Sequence, residues 1–165
     1  MPYQYYPESG TASTEADVVK RYSPVFSATG LTFTGSNGTY PTYNSYYVKN
    51  GRMVTFWIAV DLTTVTNFGT GQFKLELPIV PLAGTSNHFP AWVWVNPSAA
   101  PDELNGHIVC QADHLPGSIT LDLHWSKETT ASPKPLIESL LIQGTPVTFT
   151  TASKMYVNGT YITGA

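Results

Sequence analysis

His107, Cys110, Asp113 and His114 place two imidazoles, a thiol and a carboxylate within eight residues, the densest group of chemistry-bearing side chains in the sequence. Imidazole, thiolate and carboxylate are the donors a zinc ion takes. The stretch reads as a β-strand, and strand geometry works against a shared site. His107 and Asp113 fall on one face about 20 Å apart, and Cys110 and His114 on the other about 13 Å apart, at ~3.3 Å per residue. Zinc holds its ligands at about 2 Å, so this segment supplies one or two of them at most. No metal site is expected, and Cys110 is expected on a core face with Ile108 and Ala112, where free cysteines commonly lie.

Other reactive patterns are equally thin. The sequence has no strand-to-helix nucleophile elbow, no phosphate-cradling glycine loop and no His-Glu-x-x-His helix. Gly69-Thr70-Gly71 leads into a strand, so it reads as a tight turn rather than an anion site at a helix N-terminus. Asp102 and Glu103 are adjacent carboxylates, but on an extended segment they point apart, unlike a glycosidase pair. Neither a catalytic residue nor a cofactor is expected.

Aromatic side chains remain. Trp57, Trp92, Trp94, Tyr40 and Tyr43 are candidates for a ligand or subunit contact, because an aromatic ring offers flat apolar area to a sugar or to another protein. For the tryptophans packing is the stronger reading, while Tyr40 and Tyr43 lie in a polar stretch expected to be a loop. Asn37-Gly38-Thr39 and Asn158-Gly159-Thr160 match glycosylation acceptors. Without a recognisable signal peptide at Met1–Gly10, both are expected to be turns.

The elements that position these residues are strands. Of the 165 residues 42% are hydrophobic and only 12% charged, about half the usual share. Val54, Phe56, Ile58, Val60 and Leu62 alternate with Met53, Thr55, Trp57, Ala59 and Asp61, giving a strand with one plainly apolar face. Asn50-Gly51 before it is a hairpin turn signal, joining Tyr46–Lys49 to Arg52–Leu62. Phe73, Leu75 and Leu77 alternate with Gln72, Lys74 and Glu76 up to Pro78. Ala91–Val95, His107–Asp113, Ile119–Trp125, Pro146–Phe149 and Lys154–Thr163 read as further strands, and Pro135–Ile142 as a buried one. Ile119, Leu121, Leu123 and Trp125 make another inward face. Eight to ten short strands without helical crossovers predict an all-β fold, a β-sandwich or jelly roll.

The first 22 residues, with Tyr3, Tyr5 and Tyr6 among Pro2, Pro7 and Gly10, show no alternation and only a helix-like stretch over Thr14–Arg21. They are expected to form an N-terminal arm, with the three tyrosines as anchor, before a β-domain over residues 23–165. The net charge of −3, with eight basic residues scattered along the chain, predicts no nucleic-acid partner. No apolar run reaches the roughly 20 residues of a membrane-spanning helix, so no membrane insertion is expected. One cysteine excludes an intramolecular disulfide, which fits synthesis in a reducing cytoplasm. A surface so poor in Lys and Glu lacks the usual guards against association.

Two stretches carry a family resemblance. Val65-Thr66-Asn67-Phe68-Gly69-Thr70-Gly71-Gln72-Phe73-Lys74-Leu75-Glu76-Leu77-Pro78, preceded by the Tyr47-Val48-Lys49-Asn50-Gly51-Arg52-Met53-Val54 hairpin, resembles the C-terminal β-domains of tailed-phage fibre and minor tail proteins. Thr145-Pro146-Val147-Thr148-Phe149 and Val157-Asn158-Gly159-Thr160-Tyr161 resemble their closing strands. The resemblance implies a tumour necrosis factor-like jelly roll that packs as a homotrimer on a virion, on tail or capsid surface. It implies attachment to other virion proteins through the arm and contact with a host-surface glycan. Trp57, Tyr47 and Tyr161 would then be buried between subunits. A capsid decoration protein anchored by its arm fits the same layout. So, from other classes, do a carbohydrate-binding module and a glycan-degrading β-sandwich enzyme.

Overall fold

The alternation over Met53–Asp61 is realised as one strand whose even positions Val54, Phe56, Ile58 and Val60 are buried, while Trp57, Ala59 and Asp61 are half-buried and Met53 and Thr55 exposed. The computed structural model describes residues 19–34, 42–95, 106–128, 136–144 and 148–164. Among them lie thirteen strands and no α-helix. They are β1 (Lys20–Tyr22), β2 (Phe26–Ser27), β3 (Leu31–Phe33), β4 (Thr42–Tyr43), β5 (Ser45–Asn50), β6 (Met53–Asp61), β7 (Val65–Phe68), β8 (Lys74–Glu76), β9 (Asn87–Trp94), β10 (His107–His114), β11 (Thr120–Glu128), β12 (Leu136–Leu140) and β13 (Lys154–Ile162).

Eleven strands belong to one antiparallel sheet with the path β1-β5-β6-β13-β9-β10-β11-β8-β2, to which β12 adds on β11 and β4 on β6. The two ends of that path are close in sequence. Only Ser23-Pro24-Val25 separates β1 from β2, a reach of at most about 14 Å at ~3.5 Å per residue. The sheet therefore has to curl until its first and last strands approach, which encloses the inward side chains of nearly every strand. The result is the all-β sandwich or jelly-roll architecture that the strand pattern predicts. Phe26, Phe56, Leu75, Phe89, Val93, Leu121, Leu123, Leu141, Met155 and Tyr161 meet in one buried cluster. The small β3–β7 sheet is tied to it where Phe68 stacks on the buried Phe149, ring centres 6.5 Å apart.

Several local expectations need correction. Asn50 pairs with Met53, so the hairpin loop is Gly51-Arg52 rather than Asn50-Gly51, with Gly51 taking the positive φ at the first loop position. The β6 strand stops at Asp61, because its carboxylate accepts a hydrogen bond from the Thr63 amide and starts a 3-10 turn over Leu62–Thr64. Lys20 and Arg21, read as the end of a helix-like stretch, lie in β1 and pair with Tyr47 and Tyr46. The expected arm boundary at residue 22 thus falls inside the sheet, and Tyr3, Tyr5 and Tyr6 lie outside the described residues. Thr148 and Phe149, read as the end of a strand over Pro146–Phe149, are irregular, although Phe149 is buried.

Asn158-Gly159-Thr160 is a strand interior and not a turn: the three residues pair with Trp57, Phe56 and Thr55 of β6. Glycine is tolerated there for a packing reason. A Cβ on Gly159 would lie 2.8 Å from Phe89 Cε1 and closer still to Cδ1, so the Phe89 ring occupies the space a side chain would need. That ring packs edge-to-face on Phe56, with centres 5.0 Å apart, and on Tyr161 at 6.2 Å. Gly69-Thr70-Gly71 is a close crossing, as a tight turn requires. Gly69 has φ +67° and passes against Thr29 and Leu31, and the Thr70 amide donates to the Thr29 carbonyl at 2.9 Å.

Candidate functional site

The His107–His114 group is split between the two faces of β10, as its spacing predicts. Cys110 and Ala112 are buried with Ile108, and burial pushes the Cys110 thiol up to about 12. His114 is buried and fully engaged. Its Nε2 donates to the Ser118 carbonyl at 2.7 Å, and its Nδ1 lies 3.2 Å from the Asn87 amide, which donates to it. Of His107 the structure describes the backbone, paired with Trp94. Cys110 and His114 thus belong to the core side of β10.

Asp113, on the opposite face, joins a network that sequence spacing does not reveal. The registers of two hairpins set His88 of β9 opposite Asp113 and His124 of β11 opposite Gln111. His88 Nδ1 donates to Asp113 Oδ1 at 2.8 Å, Gln111 donates to the same oxygen at 2.7 Å, and His124 Nε2 lies 3.7 Å from Oδ2. Gln72 reaches the Leu123 carbonyl and lies 3.3 Å from His124 Nε2. The two histidine partners are 25 and 11 residues from Asp113 in sequence, so only cross-strand register could have found them. Among the described residues no group of three or more His, Cys, Asp or Glu is arranged to hold a metal ion. The network joins three strands through polar contacts.

The aromatic candidates converge on the outer face of the sheet. Trp57, Trp92 and Tyr156 point away from the core on the adjacent strands β6, β9 and β13, and all three are half-buried. Trp92 stacks on Tyr156 with centres 5.4 Å apart and planes 17° apart, and Trp57 meets Trp92 edge-on at 5.4 Å and Tyr156 at 6.1 Å. The row continues at both ends. Tyr46 of β5 stands opposite Trp57, and Val109 of β10, with 83% of its surface exposed, stands opposite Trp92. Trp94 faces the same side, between Lys154 and His107 in register, and Tyr156 joins a cluster in which the sequence showed only the tryptophans.

The remaining candidates divide. Tyr43 lies in β4, paired with Val60, rather than in a loop. Tyr40 lies outside the described residues. Tyr161 belongs to the domain's own core: its hydroxyl donates to the Ile79 carbonyl at 2.6 Å and accepts from the Ile79 amide at 3.1 Å. Tyr47 also faces inward, edge-on to Tyr22 at 5.8 Å. Tyr161 is thus covered within its own chain, Tyr47 is half-buried, and Trp57 is on the outer face.

Beside Trp57 the outer face opens into a trough of about 520 Å³. Its two walls follow from strand register. Val48, Thr55 and Thr160 stand side by side on β5, β6 and β13, and Tyr46, Trp57 and Asn158 form the next row. Side chains two apart on a strand are about 7 Å from each other, which sets the width. The floor is the strand backbone at Tyr47, Phe56 and Gly159, and Val19 closes one end. No family model, no curated protein and no solved structure matches this chain.

Proposed function

We propose that this protein is a structural component of a tailed-phage virion, a β-domain that assembles as a homotrimer on the particle surface and does no chemistry. The observation that carries this reading is the aromatic row on the outer face. A sheet whose inner face already fills a core normally turns polar residues to water, yet here Trp92, Tyr156 and Val109 are turned outward on neighbouring strands. An apolar patch of this kind marks an interaction surface. Cores of homo-oligomer interfaces are the most apolar of protein contacts, and aromatic residues are enriched there. Three copies meeting about an axis would cover the Trp92–Val109 end of the row.

The polar network around Asp113 fits a structural role, as hydrogen bonds that tie β9, β10 and β11 together. The resemblance to phage tail domains supplies the virion context. Mass spectrometry of density-gradient-purified phage particles from a strain carrying the gene tests it. The chain is expected at a fixed copy number per particle, in a multiple of three. Recovery only in the soluble lysate, away from particles, would refute the virion role.

A further inference from the structure

The trough beside Trp57 lies on the side of that ring away from Trp92 and Tyr156, and its chemistry differs from that of the assembly patch. One wall carries two hydroxyls, with Thr55 Oγ1 and Thr160 Oγ1 hydrogen-bonded to each other at 2.9 Å. The other carries the Tyr46 and Trp57 rings and ends on the Asn158 carboxamide. Among the described residues, the ten that line it include no Asp, Glu, Lys, Arg or His. Trp92 and Tyr156 brace Trp57 from behind, so this wall is formed before any ligand arrives.

Aromatic faces pack against the apolar C–H face of a pyranose ring, while neutral hydroxyl and amide groups exchange hydrogen bonds with its rim. A charged ligand would find no counter-charge among the lining residues. The trough crosses four neighbouring strands from Val19 to Thr160, about 14 Å at ~4.8 Å per strand, and its volume lies within the roughly 300–1,000 Å³ of small-molecule sites. It is elongated and open, which suits a short chain of sugar rings better than a compact metabolite. We propose that the outer-face trough between Tyr46–Trp57–Asn158 and Val48–Thr55–Thr160 binds a neutral oligosaccharide. This goes beyond the assembly reading and does not depend on it, because all the described residues that line the trough belong to one copy.

The test is calorimetric titration of the full chain with cellotriose, maltotriose, N-acetylchitotriose and galactotriose, with sialyllactose as the anionic probe. At least one neutral trisaccharide is expected to bind with a millimolar or tighter Kd, and sialyllactose to bind no better than its neutral core. Tyr46→Ala should weaken that binding about tenfold, a loss of one aromatic stacking contact. Thr160→Tyr, which fills the trough from an exposed position, should abolish it. Val109→Asp, outside the trough, should leave sugar affinity unchanged even where it alters the solution mass, which separates this inference from the assembly reading. Circular dichroism and an unchanged unfolding midpoint establish that each variant is folded. Failure of every neutral trisaccharide to bind, preference for sialyllactose, or undiminished binding by folded Thr160→Tyr would each overturn the proposal.

Discussion

Replacing Gly159 with alanine should destabilise the protein by about 1–3 kcal/mol, the usual cost of forcing an extra methyl into a filled core. The residue sits mid-strand in β13, and the backbone gives no reason for glycine there. The reason is Phe89, whose ring would lie 3.1 Å or closer to a new Cβ at three of its atoms. Moving the ring disturbs its edge-to-face contacts with Phe56 and Tyr161, each worth about 0.5–1.5 kcal/mol. Against this stands the gain from stiffening the unfolded chain, about 0.4–1 kcal/mol for a Gly→Ala change. The net remains destabilising. Equilibrium urea unfolding followed by tryptophan fluorescence measures it, with the midpoint expected to fall at unchanged slope. Phe89→Leu alone should also destabilise, by removing ring contacts. Combined with Gly159→Ala, its cost should be less than the sum by about 1 kcal/mol, because the smaller side chain makes room for the methyl. A neutral or stabilising Gly159→Ala, or strict additivity in the pair, would show that Phe89 does not dictate the glycine.

Other consequences are simpler to read. Cys110 should be unreactive toward a thiol-specific disulfide reagent at pH 8 in the native state and react rapidly in denaturant, since burial holds its thiol up to about 12. The unfolded thiol ionises near about 8.5. The contribution of this group to stability is therefore full below that pH and declines as pH rises toward the folded value. Rapid native labelling would place Cys110 at the surface. Tyr22 is half-buried, and its hydroxyl has no hydrogen-bond partner among the described residues. Tyr22→Phe should be neutral or stabilising by up to about 1 kcal/mol in the same urea assay, whereas a clear loss would reveal a partner.

Strands are most legible in the sequence where one face carries the whole signal. The inward residues of β6, β8 and β11 are legible because core burial imposes a period of two on each segment alone. Short edge strands carry no such signal: β1 and β4 hold too few residues for alternation to show, and their pairing depends on β5 and β6. Asn158-Gly159-Thr160 reads locally as a turn, but it lies inside the strand read over Lys154–Thr163 and pairs with Trp57, Phe56 and Thr55 of β6. The one-residue shift of the first hairpin has the same character, since Asn50 closes the ladder rather than turning it.

Site residues divide along the same line. The tryptophans were visible as types, but the pairing that gathers Trp57, Trp92 and Tyr156 joins residues up to 99 positions apart along β6, β9 and β13. The trough beside them is a product of register alone, because its walls are rows across strands rather than runs along the chain. In sequence Asp113 stands beside His107 and His114, whereas its histidine partners His88 and His124 come from other strands.

That the Trp92–Val109 end of the outer aromatic row is a self-association surface is tested most directly by sedimentation equilibrium of the intact chain. Three times the 18.0 kDa chain mass is expected at micromolar concentration, falling toward one chain mass when Val109→Asp places a charge in the row. A monodisperse monomer for the parent protein, or a trimer that Val109→Asp leaves intact, would contradict it.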